Sequence, residues 1–145
     1  MKEYFSTVVF RKRKIGNLLT VIAATIMLLV SIFYISIPGG NLKIEDDSQT
    51  LTFLCTLVGS LISLSLVFFH KEILEKVFPC ISLILYAIGL GRQMYLLAYP
   101  LADKITGVNW FGGSLATYLS FFLLLLVGTV LNLVGLFLPQ CNQED

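Results

Sequence analysis

Arg92 is the residue with the clearest capacity for binding chemistry, because it is the one charged residue in the apolar run of residues 78–99. An arginine at the centre of a membrane costs about 3 to more than 10 kcal/mol, so its presence there needs an explanation. Tyr95 and Tyr99 follow on the same helical face, and Gly89 leaves space on that face. A guanidinium binds phosphate or carboxylate in a bidentate manner, and aromatic walls contact the apolar part of a ligand. The pattern therefore predicts a site for an anionic, lipid-like molecule.

Three further side chains are expected at a similar depth and complete this predicted site: Tyr34, Tyr118 and Gln93. Tyr34 and Tyr118 belong to other apolar runs, so they reach the site only if the helices pack together. Gln93 follows Arg92 directly and is turned about a quarter of the way round the helix. If all of them converge, the outer half of the bundle holds a cationic pocket with aromatic walls.

A simpler interpretation of Arg92 needs no ligand. Its long side chain can reach the membrane interface while its stem stays in the apolar layer. It can also pair with an acidic side chain, either in residues 45–47 or at Asp103. Tyrosines near a membrane surface commonly form interfacial belts. The sequence leaves both interpretations open, and only the coincidence of the tyrosines with Arg92 favours a pocket.

The sequence contains no arrangement of residues that is typical of a catalytic or metal centre. The single histidine, His70, lacks further ligands nearby, and the serines of the second apolar run have no His or Asp partner within that run. The three cysteines are scattered and form no Cys-x-x-Cys pair: Cys55, Cys80 and Cys141. We therefore expect no enzyme activity, no metal ion and no cofactor, and nothing indicates nucleic-acid binding.

The composition places the chain in a membrane. Of its 145 residues, 57% are hydrophobic and 13% are charged, whereas soluble domains average about 25% charged residues. A spanning helix needs about 20 apolar residues. Four runs are long enough, and all four prolines lie at an edge of one of them: residues 15–37, 51–69, 78–99 and 113–138. The sequence predicts an all-α, integral membrane protein whose residues 1–145 form a single domain.

Positive charge predicts the orientation of these four spans. The residues Arg11-Lys12-Arg13-Lys14 precede the first run, and Lys71 and Lys76 lie between the second and third runs. Because cationic flanks stay in the cytoplasm, both termini are expected there. The first run is too long for a secretory signal and lacks a cleavage site, so we interpret it as a retained span. The result is an up-down-up-down antiparallel bundle, and a bacterial cytoplasmic membrane is the expected location.

Small residues at intervals of three or four predict how the helices pack, because close approach stabilises helix pairs in lipid. The candidate packing residues are Cys55, Gly59, Ser63, Ala87, Gly91, Gly128, Asn132 and Gly135. The ridge of Cys55, Gly59 and Ser63 either faces the bundle interior, which we favour, or forms the seam of a homodimer. The Asn132 amide needs a partner in hydrocarbon, and Asn17 or Thr20 lies within reach.

These features predict a membrane protein without catalytic chemistry. It acts as an accessory or regulatory subunit of a larger membrane complex, or it binds an anionic lipid-like ligand around Arg92. Membrane lipids are the expected partners. A small homodimeric transporter or exporter is the alternative, although the sequence predicts no buried carboxylate that would couple transport to protons or sodium. An intramembrane enzyme is the least expected.

Overall fold

The computed structural model describes residues 15–36, 50–68 and 72–138, and these residues form four α-helices. In chain order the helices are α1 (Ile15–Ser36), α2 (Thr50–Ser65), α3 (Glu72–Thr106) and α4 (Leu115–Phe137). Each helix packs against two others, in the pairs α1–α2, α2–α3, α3–α4 and α1–α4, so the helices close into a ring around a common core. The expectation of an all-helical, four-helix bundle is confirmed.

Contacts along α3 and α4 show that these neighbours run in opposite directions. Gln93 of α3 contacts Tyr118 of α4, and Pro79 contacts Asn132, so residue numbers rise in one helix as they fall in the other. The same reversal holds between α1 and α4 and between α2 and α3. We call the end of the bundle with Gln93 the Gln93 end, and the end with Asn132 the Asn132 end.

Three of the described helices are long and apolar enough to cross a membrane: α1, α3 and α4. The chain is therefore an integral, multi-pass membrane protein. α2 has 16 residues and rises about 24 Å, against about 30 Å for the hydrocarbon layer. The predicted second span, residues 51–69, is longer than the helix that forms. The helix ends early because the amides of Leu66, Val67 and Phe68 bond to carbonyls three residues back, which tightens the last turn.

α3 is longer than the predicted span of residues 78–99, and both Pro79 and Pro100 lie inside it. Using these prolines as helix boundaries was wrong. Proline removes one backbone hydrogen bond and crowds the preceding turn, but membrane helices tolerate this loss because neighbouring groups satisfy the freed carbonyls. With 35 residues, α3 rises about 52 Å, which exceeds the thickness of the hydrocarbon layer.

At the Gln93 end, α3 projects beyond α4. Because Tyr118 lies beside Gln93, the first residue of α4, Leu115, is level with about Leu96 of α3. α3 continues from there to Thr106, which is about 15 Å further along its axis. This projecting part of α3 and the loop of residues 107–114 form an arm at one end of the bundle.

Asp103 organises the loop of this arm. Its carboxylate accepts hydrogen bonds from the backbone amides of Trp110 at 3.1 Å, Phe111 at 2.9 Å and Gly112 at 2.9 Å. Gly107 ends α3 with a φ of 71°, in the left-handed region that favours glycine, and its amide bonds to the Asp103 carbonyl at 3.0 Å. The loop is thus folded back onto the helix end by one acidic residue.

Polar and small side chains face the core together with a smaller set of large apolar ones, whereas large aliphatic side chains dominate the exposed faces. Lipid provides no hydrophobic force between helices, so close packing and hydrogen bonds stabilise their association. The buried polar side chains come from all four helices: Asn17, Thr20, Ser31, Thr52, Thr56, Ser60, Ser63, Glu75, Ser82, Gln93 and Asn132. The bundle is therefore more polar inside than outside.

Two glycines of α4 bring it close to α1. A Cβ at Gly128 would lie 2.8 Å from Met27 Cε. A Cβ at Gly135 would lie 2.9 Å from Thr20 Oγ1 and 3.0 Å from the carbonyl oxygen of Gly16. Met27 has a flexible side chain, but the Gly16 carbonyl is backbone and has no freedom to move aside.

The ridge of Cys55, Gly59 and Ser63 faces the bundle interior, against α3. A Cβ at Gly59 would lie 2.7 Å from the Tyr86 ring, and the Ser63 hydroxyl bonds to Ser82 at 2.7 Å. All three ridge residues are buried. Within the described chain, α3 thus occupies the surface that was considered for a dimer seam.

The predicted packing role of Ala87 and Gly91 on α3 differs from what the structure shows. Both residues are exposed, and no described atom lies within 4 Å of a Cβ placed at Gly91. The inward face of α3 instead carries Ser82, Tyr86 and Gln93. Hydrogen bonds made by this polar face set the rotation of α3, and they turn the Ala87 side outward.

Replacing Asp103 with Ala is expected to release the 107–114 loop, because three backbone amides lose a charged acceptor. Hydrogen bonds to charged groups contribute about 1.5–3 kcal/mol, so amide exchange at positions 110–112 should accelerate about tenfold or more. Hydrogen–deuterium exchange in detergent micelles measures this rate. Lys104→Gln, a change at the neighbouring exposed position, is the control. Unchanged exchange at positions 110–112 in Asp103→Ala would show that the carboxylate does not hold the loop.

Gly135→Ala and Gly91→Ala are expected to change stability in opposite directions. The methyl group at position 135 meets the Gly16 carbonyl, and such overpacking costs about 1–3 kcal/mol. The methyl group at position 91 meets open space and raises helix propensity by up to about 1 kcal/mol. Titration with sodium dodecyl sulfate in mixed micelles measures both free energies of unfolding. Equal effects of the two substitutions would contradict the close α1–α4 contact.

Candidate functional site

Gln93 connects three helices at the centre of its end of the bundle. Its side chain is 0% exposed. Its Oε1 accepts a hydrogen bond from the Tyr34 phenol of α1, and its Nε2 donates to the Tyr118 carbonyl of α4 at 3.1 Å. Tyr34 also packs edge-on against Phe121, with ring centroids 4.7 Å apart. Both polar ends of the Gln93 amide are thus engaged by protein groups, and this residue joins α1, α3 and α4.

Arg92 begins a row of side chains on the outside of α3. Its guanidinium carbon lies 5.2 Å from the centre of the Tyr95 ring, a distance typical of a cation–π contact. The Tyr95 and Tyr99 hydroxyls contact each other, and their rings are 5.2 Å apart and perpendicular. The Tyr99 ring lies 5.1 Å from Phe111 of the 107–114 loop. We call these four residues the Arg92 row.

The predicted pocket around Arg92 is therefore divided into two neighbouring groups. Tyr34, Gln93 and the backbone of Tyr118 meet inside the bundle, whereas Tyr95 is 51% exposed on the α3 surface. Arg92 is half-buried and lies next to Gln93 in the chain, between the two groups. The division arises because Gln93 is turned by about 100° from Arg92 on the helix.

Of the acidic residues considered as partners of Arg92, only Asp103 lies in the described part of the chain. Asp103 directs its carboxylate to backbone amides of the 107–114 loop. Residues 45–47 lie outside the described part of the chain. The organising role of Asp103 was not foreseen, because it depends on a loop conformation that side-chain types alone do not specify.

Hydroxyl groups join α2 to its two neighbours. Ser63 donates to Ser82 Oγ at 2.7 Å, and Ser82 donates to the Gly59 carbonyl at 2.8 Å. Ser31 of α1 donates to Thr56 Oγ1 at 2.8 Å. Sequence reasoning missed Ser82, although it lies on the same helical face as Gln93. These bonds compensate for the small contact area that serine and threonine provide.

Asn132 finds its partner on α3 rather than on α1. Its Nδ2 donates to the Pro79 carbonyl at 3.1 Å. The predicted partner Thr20 instead bonds to Gly16 within its own helix at 3.1 Å, and among the described residues Asn17 has no hydrogen-bond partner. The expectation of a bond from Asn132 to α1 was wrong. The α1–α4 seam is so close that Gly135 and Thr20 fill it.

Glu75 is a buried carboxylate that the sequence did not predict. It is 7% exposed and lies one turn before Pro79 in α3. The expectation that no carboxylate is buried was wrong, because residue 75 was assigned to a loop between apolar runs. The helix extends through this position, and so it carries Glu75 into the bundle at the Asn132 end.

An apolar layer lies in the interior between Gln93 and Asn132. Its members come from three helices: Met27, Val30, Tyr34, Tyr86, Phe121 and Leu125. The ring of Tyr34 belongs to this layer while its phenol bonds to Gln93. The interior therefore combines a polar group around Gln93, this apolar layer with the Ser31–Thr56 pair beside it, and a second polar group around Ser63, Ser82 and Asn132.

No model of a protein family matches this chain, and neither a curated protein nor a solved structure matches it.

Gln93→Met is expected to destabilise the bundle, because it removes two hydrogen bonds between helices while keeping the side-chain length. A buried group left unpaired costs about 1–3 kcal/mol. The free energy of unfolding, measured by detergent titration, should fall by that order, and it should fall by much less in the surface variant Met94→Leu. A double-mutant cycle with Tyr34→Phe should show coupling, since the phenol and the amide share a bond. Strict additivity of the two substitutions would contradict the bridge.

Proposed function

We propose that this protein is a non-catalytic membrane protein that binds an anionic, lipid-like amphiphile along the Arg92 row. The observation that carries the proposal is the half-buried guanidinium of Arg92 stacked on the exposed Tyr95 ring. A guanidinium offers paired donors that match the oxygens of a phosphate or carboxylate. The rings of Tyr95 and Tyr99 offer apolar faces and hydroxyl groups beside it.

The shape of the row supports a ligand that lies along α3. From Arg92 to Tyr99 the helix rises about 10 Å, so the row presents a cation at one end and aromatic rings along its length. Phe111 continues the row from the helix to the loop. The predicted pocket thus becomes, in this proposal, an open groove on the lipid-facing surface rather than a closed cavity.

In this proposal the chain crosses the membrane four times with both termini in the cytoplasm, and the Arg92 row lies in the outer leaflet. The cationic segments of residues 11–14 and 71–76 support that orientation. A bacterial cytoplasmic membrane remains the proposed location. In that membrane, a lipid-binding surface suits an accessory or regulatory subunit that binds a lipid and passes it to a larger membrane complex, or that regulates the complex when lipid is bound.

Glu75 supports a small transporter as the second candidate function. A buried acid is the kind of group that couples solute movement to protons or cations. Two observations favour the binding role instead. The buried side chains of Met27 and Leu125 fill the middle of the interior on the side of α1 and α4, and the Cys55 ridge considered for a homodimer is covered by α3.

Arg92→Gln is expected to weaken binding of phosphatidylglycerol, the anionic probe, because the amide keeps the length but loses the charge. Loss of a charged hydrogen-bond donor costs about 1.5–3 kcal/mol, so the dissociation constant should rise about tenfold or more. Native mass spectrometry of protein titrated with phosphatidylglycerol measures it, with phosphatidylcholine as the neutral comparison. The dissociation constant of Arg92→Lys for phosphatidylglycerol should lie between those of the native protein and Arg92→Gln, since lysine keeps the charge without the paired donors.

Lys104→Gln is the matched control for Arg92→Gln, because Lys104 is an exposed cation of α3 near the same end but outside the Arg92 row. Its dissociation constant should stay within about twofold of the native value. Equal binding of phosphatidylglycerol by native protein and folded Arg92→Gln would overturn the proposal. Equal loss in both variants would also overturn it, because that result reports net charge rather than a site.

A further inference from the structure

The arm at the Gln93 end contains a cavity of about 340 Å³, which we call the arm cavity. The last turns of α3 form one wall and the 107–114 loop forms the other. Six residues line it: Ala102, Asp103, Thr106, Val108, Trp110 and Phe111. Pockets for small ligands have volumes of about 300–1,000 Å³. The arm cavity therefore has room for a small group, such as one hydrocarbon chain.

The polar side chains in the walls of the arm cavity are engaged within the arm itself. The Asp103 carboxylate accepts hydrogen bonds from three backbone amides of the 107–114 loop. The Thr106 hydroxyl donates to the Ala102 carbonyl at 2.9 Å. The rest of the lining is aliphatic and aromatic. A group that enters this cavity thus gains mainly from leaving water, and hydrocarbon is the chemistry that the cavity favours.

The arm cavity lies in line with the Arg92 row on α3. Residues of the row and of the cavity wall follow one another at alternating intervals of three and four: Arg92, Tyr95, Tyr99, Ala102 and Thr106. This spacing keeps them on one side of the helix. Phe111 belongs to both, because its ring lies 5.1 Å from the Tyr99 ring and it lines the cavity. From Arg92 to Ala102 the helix rises about 15 Å.

Charge orients a ligand along this path. The Arg92 guanidinium lies at one end of the row, whereas the acidic Asp103 lines the cavity at the other. An anionic group is attracted by the first charge and repelled by the second. It therefore binds at Arg92 and directs its apolar part towards the arm. A molecule with one chain fits this direction most simply, because a phospholipid has a second chain to accommodate.

We propose that the ligand of the Arg92 row is a single-chain anionic amphiphile that places the end of its hydrocarbon chain in the arm cavity. This inference rests on the proposed function and adds to it the class of ligand and the position of the chain. The rings of Tyr95 and Tyr99 lie beside the chain between the guanidinium and the cavity. Each methylene that leaves water for the cavity should tighten binding about fourfold.

Alkyl phosphates of different length test this placement by isothermal titration calorimetry of the protein in amphipol. Butyl phosphate is too short to reach from Arg92 to Ala102, whereas dodecyl phosphate can span that distance. Ala102→Phe fills the cavity with a ring. It should weaken binding of dodecyl phosphate about tenfold or more, because excluding two methylenes from the cavity already has that effect. Binding of butyl phosphate should be unchanged, which also shows that the variant is folded.

Two further variants separate the cavity from a general effect of added bulk. Val108→Phe introduces the same ring from the loop wall, so it should weaken binding of dodecyl phosphate as Ala102→Phe does. Leu101→Phe is the matched control, because Leu101 is exposed and its position on α3 is turned away from the row. This control should bind both phosphates as the native protein does.

The results distinguish failure of this inference from failure of the Arg92 site. If Arg92→Gln weakens binding of both phosphates but dodecyl phosphate binds equally to the native, Ala102→Phe and Val108→Phe proteins, the chain lies elsewhere and only the inference is wrong. If Arg92→Gln binds both phosphates as tightly as native protein, the proposed function is wrong as well. Binding of uncharged dodecanol as tight as that of dodecyl phosphate, and equally sensitive to Ala102→Phe, would show that the cavity acts without Arg92 and would refute the link.

Discussion

The side-chain amide of Gln93 is the interaction on which the arrangement of this bundle depends. It receives the Tyr34 phenol and bonds to the Tyr118 backbone, so it fixes the rotation of α3 relative to α1 and α4. In hydrocarbon an unpaired amide is costly, and a rotation of α3 by one residue would expose Gln93 to lipid. The same rotation would bring Ala87 and Gly91 inward, where they have no group to bond.

Different helix pairs are stabilised in different ways, some by close packing and others by polar contacts. α1 and α4 meet through glycines, with Gly135 against the Gly16 backbone. α2 and α3 meet through hydroxyls, with Ser63, Ser82 and the Gly59 carbonyl in one chain of bonds. Both solutions serve a protein whose exterior is as apolar as its solvent, because burying leucine inside it would provide little driving force.

The number of helices and their approximate positions follow from the sequence, because each apolar run has to satisfy its own backbone in lipid. The ends of α3 do not, since Pro79 and Pro100 are tolerated within a continuous helix. The sequence placed the residues near Arg92 at a similar depth in the membrane. Their division into two groups could not be predicted, because it depends on the hydrogen bonds that Gln93 makes to Tyr34 and Tyr118. Phe111 was missed since its position depends on the Asp103 loop, and Glu75 was missed because its run of charges looked like a turn.

The arm at the Gln93 end makes the two ends of the bundle different, so its location can show which side of the membrane each end faces. α3 carries the 107–114 loop about 15 Å past the first turn of α4, and Asp103 keeps that loop compact. A short epitope placed after Gly107 would stand clear of the lipid without interrupting a helix. An antibody applied to sealed vesicles would then report which face of the membrane the arm occupies, and with it the orientation of every helix in the bundle.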